Sequence, residues 1–393
     1  MCVTEFLIYN GLDDSTAFGT RSKTNIIMLA SIGKKVRNRV LKWAGAFGWD
    51  GLPDDRFLEE VYRRLLGRGV DPTGRDHYLD YLRQGNSRLS LVLSIVQSEE
   101  YTNTLIRENT PTMSIREERP DQYALVKDIH GRDTLTFQSR RPQDFDWLER
   151  KIIDNGYYEK PGVWSYLVTE DKRLHAELVS RFEPRRVLDL GCANGPVMKC
   201  LKDLGIDSEG VDVSRLALAK AFPEVRDKIR LGDILGMDFS GRFDFILGLD
   251  IYEHLNPNKL PAYVAKLAGL LEDGGFLFCN IPAIGRDSIF GEIFEVYLRE
   301  WEDDLRQGRL FSVIHADEAG YPYNGHIIGA GSSWWTRQFE AAGLRREDGL
   351  ERALHDRYDE ALTRIHVARK SFFVFSKSAD PGRLDRILRR VKA

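Results

Sequence analysis

The sequence is short of cysteine: Cys2, Cys192, Cys200 and Cys279 are the four in 393 residues, with no CxxC pair and none of the dense spacing of a secreted disulfide scaffold. That usage fits a reducing compartment in which thiols act as small buried hydrophobes. Long apolar runs are also missing, since the best stretches, 276–284 and 371–375, fall well below the roughly 18 residues that span a bilayer. The opening MCVTEFLIYNGLDD lacks the positive region and apolar core of a secretory signal. A cytoplasmic location is therefore expected. Nor is one sign of charge in excess: 57 basic against 60 acidic side chains leave −3, and no nucleic-acid partner is expected.

At roughly 150 residues per domain, the length allows two or three domains. Residues 1–30 show no helical or strand period and are expected to be disordered, with translation starting at Met1 or Met28. Residues 31–52 follow as a basic amphipathic helix, in which Ile32, Val36, Val40 and Trp43 share one face among Lys34, Lys35, Arg37, Arg39 and Lys42. Such a helix docks on a neighbouring domain or lies on an anionic membrane surface, so a peripheral membrane or protein partner at the inner face of the membrane is an expectation. Residues 53–106 read as a compact all-α module. Phe57, Leu58, Val61, Tyr62, Leu65 and Leu66 make one stripe, Asp71-Pro72 starts a second helix, and Ser87 caps a third bearing Leu89, Val92, Leu93 and Val96. The charged, proline-bearing stretch 107–142 suits a linker with one short strand pair near Leu135 to Phe137. An α/β domain is expected over 143–378, with an insert at 283–333 and a C-terminal tail at 379–393.

From Arg186 short β-rich runs alternate with helical periods, the signature of a doubly wound parallel sheet. VLDLGCANG, 187–195, is an apolar strand ending in Asp189 and a turn containing Gly191, Cys192, Ala193 and Gly195. Glycines there let the backbone approach a ligand where a side chain would collide. EGVDVS, 209–214, ends in Asp212, suited to accept hydrogen bonds from ribose hydroxyls, with Val213 beside it. IRLGDI, 229–234, presents Asp233, placed at a strand end to receive an exocyclic amine, with Ile234 next to it. FDFILGLD, 243–250, ends in Asp250 and runs into Glu253 and His254, and GFLFCNIP, 275–282, supplies a fifth strand. A dinucleotide-binding dehydrogenase would want G-x-G-x-x-G, whereas Met198 stands at the third position here. Three strand-end aspartates converging on one sheet edge also exceed what helix capping alone would require.

In the order of these elements, residues 186–282 resemble the class I S-adenosylmethionine-dependent methyltransferases. The fold implied is a doubly wound, seven-stranded Rossmann-like sheet, preceded here by the small all-α domain. The resemblance implies S-adenosylmethionine as cofactor, with Asp189 and the 191–195 turn around its methionine moiety, Asp212 on the ribose, and Asp233 with Ile234 at the adenine. Ala193 stands where many relatives have glycine. Residues 57–101 resemble a bacterial helical domain of unassigned function related to the phycobilisome-linker type. The stretch from DFDWLE to FVFSK is similar to methyltransferases encoded with bacterial cell-surface polysaccharide enzymes.

After the fifth strand, the aromatic and polar insert reads as a lid or acceptor pocket. Tyr297, Tyr321, Asn324 and Trp334, with Glu253, are the expected acceptor contacts; Trp301, Trp334 and Trp335 equally suit core anchors. An alcohol acceptor must lose a proton, and His254 on the turn after the fourth strand is the expected base, with His315 and His326 as rivals. HADE, 315–318, is too loose a cluster to predict a metal. The expected function is O-methylation of a bacterial cell-surface glycan or its precursor. The alternatives are a small aromatic or lipid-linked acceptor, or a non-catalytic interaction protein of glycan machinery.

Overall fold

A computed structural model describes residues 51–66, 68–96, 98, 100, 114–159 and 167–392 of the chain. The expectations for disorder at 1–30 and for the basic helix up to residue 50 lie outside them. The chain divides into two units, Met1–Pro111 and Thr112–Ala393.

In the first unit, α1 (Asp54–Leu65), α2 (Pro72–Arg83) and α3 (Arg88–Val96) enclose a core of Phe57, Leu58, Val61, Tyr62, Leu65, Leu91, Val92 and Ile95. Asp71 caps α2 by accepting the Gly74 amide at 2.8 Å, which satisfies one of the amides that a helix start leaves without a partner. Ser87 Oγ accepts the Ser90 amide at the start of α3.

The second unit begins with β1 (Tyr123–Lys127) and β2 (Asp133–Gln138), an antiparallel pair, and α4 (Pro142–Asp154). Then follow α5 (Glu170–Ser180), β3 (Arg186–Leu190), α6 (Pro196–Asp203), β4 (Asp207–Asp212), α7 (Arg215–Ala219), β5 (Ile229–Leu231), β6 (Phe243–Leu249), α8 (Leu260–Leu270) and β7 (Leu271–Asn280). After a small hairpin, β8 (Arg286–Asp287) and β9 (Gly291–Glu292), the chain runs through α9 (Trp301–Arg306), β10 (Val313–His315), α10 (Ser332–Glu340), β11 (Arg345–Arg346), α11 (Asp348–Ile365), β12 (Phe372–Ser376) and α12 (Pro381–Lys392). The main sheet has seven strands in the order β11-β12-β7-β6-β3-β4-β5. Strands β3 to β7 run parallel, while β12 and β11 are antiparallel. Strand order reverses direction between β3 and β6, the switch point where open α/β sheets form a crevice at their carboxyl ends.

Side-chain alternation explains how one sheet serves two layers. Leu277, Cys279, Phe373 and Phe375 enter one core with α8 and α10; Phe276, Phe278, Phe372 and Val374 enter the other with α5, α6 and α11.

Two expected boundaries are corrected. From residue 114 onward the expected linker is folded: β2 pairs with β1 on one edge and with β10 on the other, and Leu135 and Phe137 are buried. Arg119, one of its charges, pairs with buried Asp144 at 2.7 Å and lies over the Trp147 ring. The expected tail at 379–393 holds α12, whose Ile387 and Val391 are buried against α11 and the sheet. Its short apolar stripe, Ile387 and Val391 with Leu384 and Leu388 packed beside them, is interspersed with arginines, which is why its composition reads as solvent-exposed.

Replacing Ile387 with Ala should lower the unfolding free energy by about 2–5 kcal/mol in a urea titration, the range for emptying a buried isoleucine site. A loss below about 0.5 kcal/mol would return residues 379–393 to the status of a loose tail.

Candidate active site

The carboxyl edge of the parallel strands gathers most of the residues singled out from the sequence. Asp189, in β3, is 2% exposed, and its Oδ2 finds no hydrogen-bond partner among the described residues. Burial, helped by repulsion from Asp212, pushes its carboxyl up to about 7 against the pull of Lys172. The following turn has three left-handed residues, Gly191 (φ 70°), Ala193 (φ 48°) and Gly195 (φ 81°). A Cβ on Gly191 would stand 2.9 Å from Ile251, and one on Gly195 2.8 Å from Val225. The glycines are thus required by backbone conformation and by packing against the chain itself. Cys192 is buried, and burial pushes its thiol up.

Ala193 accepts a conformation that costs an L-residue about 1–2 kcal/mol, and its amide then donates to Asp212 Oδ2 at 2.8 Å. Asp212 Oδ1 accepts the Ser214 amide at 2.8 Å. The carboxylate is held between the first turn and the start of α7, with further lone pairs available. Val213 beside it is exposed. Asp233 is exposed and spends one oxygen on the Leu235 amide (2.9 Å) and the other on the Tyr263 hydroxyl (2.8 Å), while Ile234 is buried. Glu159 was not singled out from the sequence. Its carboxylate accepts the Arg215 and Leu216 amides at 2.7 and 2.8 Å and the Ser214 hydroxyl at 3.1 Å. Its partners lie more than 50 residues away, so no local spacing marks it.

On the β6 side, Asp250 also has left-handed backbone (φ 53°) and accepts from buried Arg369 at 2.5 Å. Arg369 also reaches Asn280 Oδ1 at 2.7 Å and Asp171 at 3.1 Å. Glu253 is 1% exposed with Oε2 unpartnered among the described residues; burial, reinforced by Asp250, pushes its carboxyl well up. His254 donates from Nδ1 to the Gly325 carbonyl at 3.1 Å. A carbonyl can only accept, so Nδ1 carries the proton and Nε2 keeps its lone pair. Gly325 permits this approach, because a Cβ there would lie 3.1 Å from His254 Nδ1 and 3.0 Å from Tyr157. The insert also brings His326 to 4.9 Å from His254, ring centroid to centroid. Desolvation lowers His254 to about 4; desolvation and then His254 lower His326 to about 3. Tyr158, missed in the sequence, sets its ring edge to face with His254.

The expected acceptor contacts divide. His315 stacks on Tyr323 at 4.4 Å and shares a hydrogen bond with the Tyr297 hydroxyl at 2.8 Å; desolvation lowers it to about 4. Asn324 is exposed, at φ 54°. Tyr321 is corrected from substrate contact to core: it is fully buried among Phe137, Trp147 and Ile314, and its hydroxyl accepts from Asn155 at 2.6 Å. Trp334 packs on the main core, edge to face with buried Trp335. Trp301 is a core anchor whose Nε1 donates to the Val313 carbonyl. In HADE, Asp317 accepts the Ala319 and Tyr321 amides and shapes a turn.

Among the described residues no helix is long and apolar enough to cross a membrane. Residues 164–348 match the methyltransferase-domain family, and residues 46–105 match a family described as a domain of unknown function. The ubiquinone biosynthesis O-methyltransferase of Bordetella avium is 27% identical over 28% of this chain and 52% of its own length. The enzyme of that name from Bradyrhizobium sp. is 32% identical over 23% of this chain and 38% of its own length. The chain thus spans about half the length, or less, of these relatives. Among solved structures, a Burkholderia thailandensis 1,6-didemethyltoxoflavin N1-methyltransferase with S-adenosylhomocysteine bound aligns at a TM-score of 0.37 and 17% identity, over 55% of this chain and 86% of that one. An amino pentose methyltransferase of Micromonospora echinaspora with S-adenosylmethionine bound aligns at 0.34 and 18%, over 57% and 96%. The match to the methyltransferase-domain family over residues 164–348 falls on the parallel part of the seven-stranded sheet and on the carboxylates at its edge, and the cofactor of such a domain is S-adenosylmethionine.

Proposed function

We propose that this domain methylates a hydroxyl oxygen of a bacterial cell-surface glycan or glycan precursor. The observation that carries the reading is the pairing, at one sheet edge, of a buried Asp189 oxygen without a partner among the described residues and the doubly held Asp212 with the imidazole group of the insert. The residues present fit the cofactor. Asp189 offers a desolvated carboxylate to its ammonium group, Asp212 retains lone pairs for ribose hydroxyls, and exposed Val213 offers an apolar surface to the base. Asp233, Ile234 and the 191–195 turn complete the proposed cofactor set, and Asp250 fixes the far wall through Arg369.

When bound, the cofactor supplies a sulfonium methyl group to an in-line oxygen nucleophile. The chain's own part is alignment, exclusion of water and acceptance of the hydroxyl proton. His254, His326 and His315 are the groups in this reading that take the proton. Lowered as they are, they stay neutral near pH 7 and need accept it only as the oxygen gains positive character. Polar and aromatic groups of the insert, Tyr297, Tyr323 and Asn324, suit a sugar-like acceptor. The names of the relatives, ubiquinone biosynthesis O-methyltransferases, favour a second reading in which the hydroxyl belongs to a small aromatic or lipid-linked molecule.

Calorimetric titration with S-adenosylhomocysteine should show one site that Asp212→Ala weakens at least tenfold; absence of heat and of thermal shift at millimolar ligand would refute the cofactor assignment. Label from the cofactor methyl should then enter a cell-envelope saccharide fraction. Labelling confined to small aromatic or lipid-linked compounds selects the second reading, and none in any extract selects a non-catalytic protein.

A pH dependence follows from Asp189. In the free protein its raised carboxyl holds a proton that the unfolded chain has lost, so stability is fullest below its ordinary value of 3.8 and declines as pH rises towards about 7. Ligand affinity has the opposite sign, because the ammonium group selects the ionised form. S-adenosylhomocysteine should bind progressively more weakly below about pH 7, and Asp189→Asn should bind weakly with a flattened profile. An unchanged profile in that variant would assign the dependence elsewhere.

A further inference from the structure

Glu253, His254 and His326 each offer one ligand atom within 4.8 Å of the other two. Glu253 and His254 leave the end of β6 on one short turn, and His326 arrives from the insert some 70 residues later in the chain, so the cluster is made by folding. Two further features separate it from a chance gathering of polar groups. Glu253 is 1% exposed and keeps Oε2 unpartnered among the described residues, an arrangement that costs several kcal/mol unless a proton or cation meets it. His254 has its Nδ1–H fixed on the Gly325 carbonyl, which orients the ring and leaves the lone pair on Nε2 to bind a metal. Metal-binding histidines are held in this way, by a backbone carbonyl on the nitrogen that does not bind.

We propose that Glu253, His254 and His326 form a site for one divalent transition-metal ion, whose remaining positions take oxygen atoms of the methyl acceptor. Glu253 Oε1 and His326 Nε2 stand 4.0 Å apart, whereas ligands bonded at about 2.0–2.2 Å stand roughly 3–3.5 Å apart, so a side-chain movement of about 1 Å closes the site. Two imidazoles and one carboxylate suit zinc, cobalt, manganese or iron in preference to magnesium or calcium, which favour oxygen ligands throughout. Three protein ligands leave positions open, the pattern of a site that handles substrate. An acceptor hydroxyl placed there loses its proton to water more readily. With His254 and His326 engaged, proton acceptance within the protein falls to His315. The acceptor's part in this rests on the methyltransferase reading, while the metal site stands without it.

The test uses the full chain stripped with a chelator and titrated with cobalt(II) alone, read by visible d–d absorption and by calorimetry. One equivalent should bind, excess magnesium should not displace it, and zinc should. His326→Ala should weaken binding at least tenfold, and Glu253→Gln should do likewise. His130→Ala, which removes an exposed histidine on the β1–β2 turn, should bind cobalt as the parent does. S-adenosylhomocysteine binding, measured on the same samples, reports folding and separates the two ideas. If that ligand binds and cobalt gives no stoichiometric spectrum, or gives one unaltered in His326→Ala, the metal site is wrong and the methyltransferase reading stands. If cobalt binds as described and S-adenosylhomocysteine does not bind the parent chain, the methyltransferase reading falls and the metal site stands.

Discussion

The carboxyl edge of the sheet is organised around one buried cation. The Arg369 guanidinium is held by Asp250 at the end of β6, Asn280 at the end of β7 and Asp171 in the first turn of α5. A desolvated guanidinium is tolerated only when its donors are met, and breaking such a pair costs about 3–5 kcal/mol because the remaining charge is stranded. Three elements are therefore constrained to meet at one point. Asp250 accepts a left-handed backbone to reach it, and Asn280 turns its amide nitrogen to the Ser371 carbonyl at 2.6 Å, joining β7 to the segment before β12. Because Arg369 follows α11, this edge is complete only when nearly the whole chain has folded.

That constraint sets the geometry of both halves of the site. Glu253 and His254 come a few residues after Asp250, so the turn carrying them starts from a fixed point. On the other side of the switch point, the left-handed turn after β3 aims the Ala193 amide at Asp212 and packs Gly191 against Ile251, which lies next to Asp250. The cofactor side and the imidazole side thus meet at Gly191 and Ile251. Any side chain on Gly191 would push them apart, a stronger demand on that position than space for a ligand.

Much of this was legible in the sequence, for a definite reason. Strands β3 and β6 are buried on both faces and read as apolar runs, and Asp189 and Asp250 at their ends stand out against that background. What was not legible depends on contacts across long separations. The polar β1–β2 pair resembles a linker until β10, some 175 residues later, covers it. Glu159 carries no local mark of its role on α7. Tyr321 looks like an acceptor contact in an aromatic, polar loop, and only the packing of Phe137 and Trp147 around it shows it to be core. The partnership of Glu253 and His254 with His326 had the same obstacle: the first two are neighbours in sequence, and the third belongs to a segment whose placement no period predicts.

The insert's attachment explains how its imidazoles can be positioned at all. It is joined to the sheet edge by the Ile328 amide on the Glu253 carbonyl at 2.9 Å and by the Gly325 carbonyl on His254. From behind it is held by β10 on β2, and by the Ile115 amide on the Ala319 carbonyl at 2.8 Å. Residues 114–138 therefore hold the imidazole-bearing insert from behind, although they precede β3 by some fifty residues. The cofactor side draws its supports from β3, β4 and Glu159 instead. Since each side rests on its own set of hydrogen bonds, changes in the insert can retune what faces the imidazoles while leaving Asp189 and Asp212 in place. In the proposed reading, that separation lets one methyl-donor site be fitted to different acceptors.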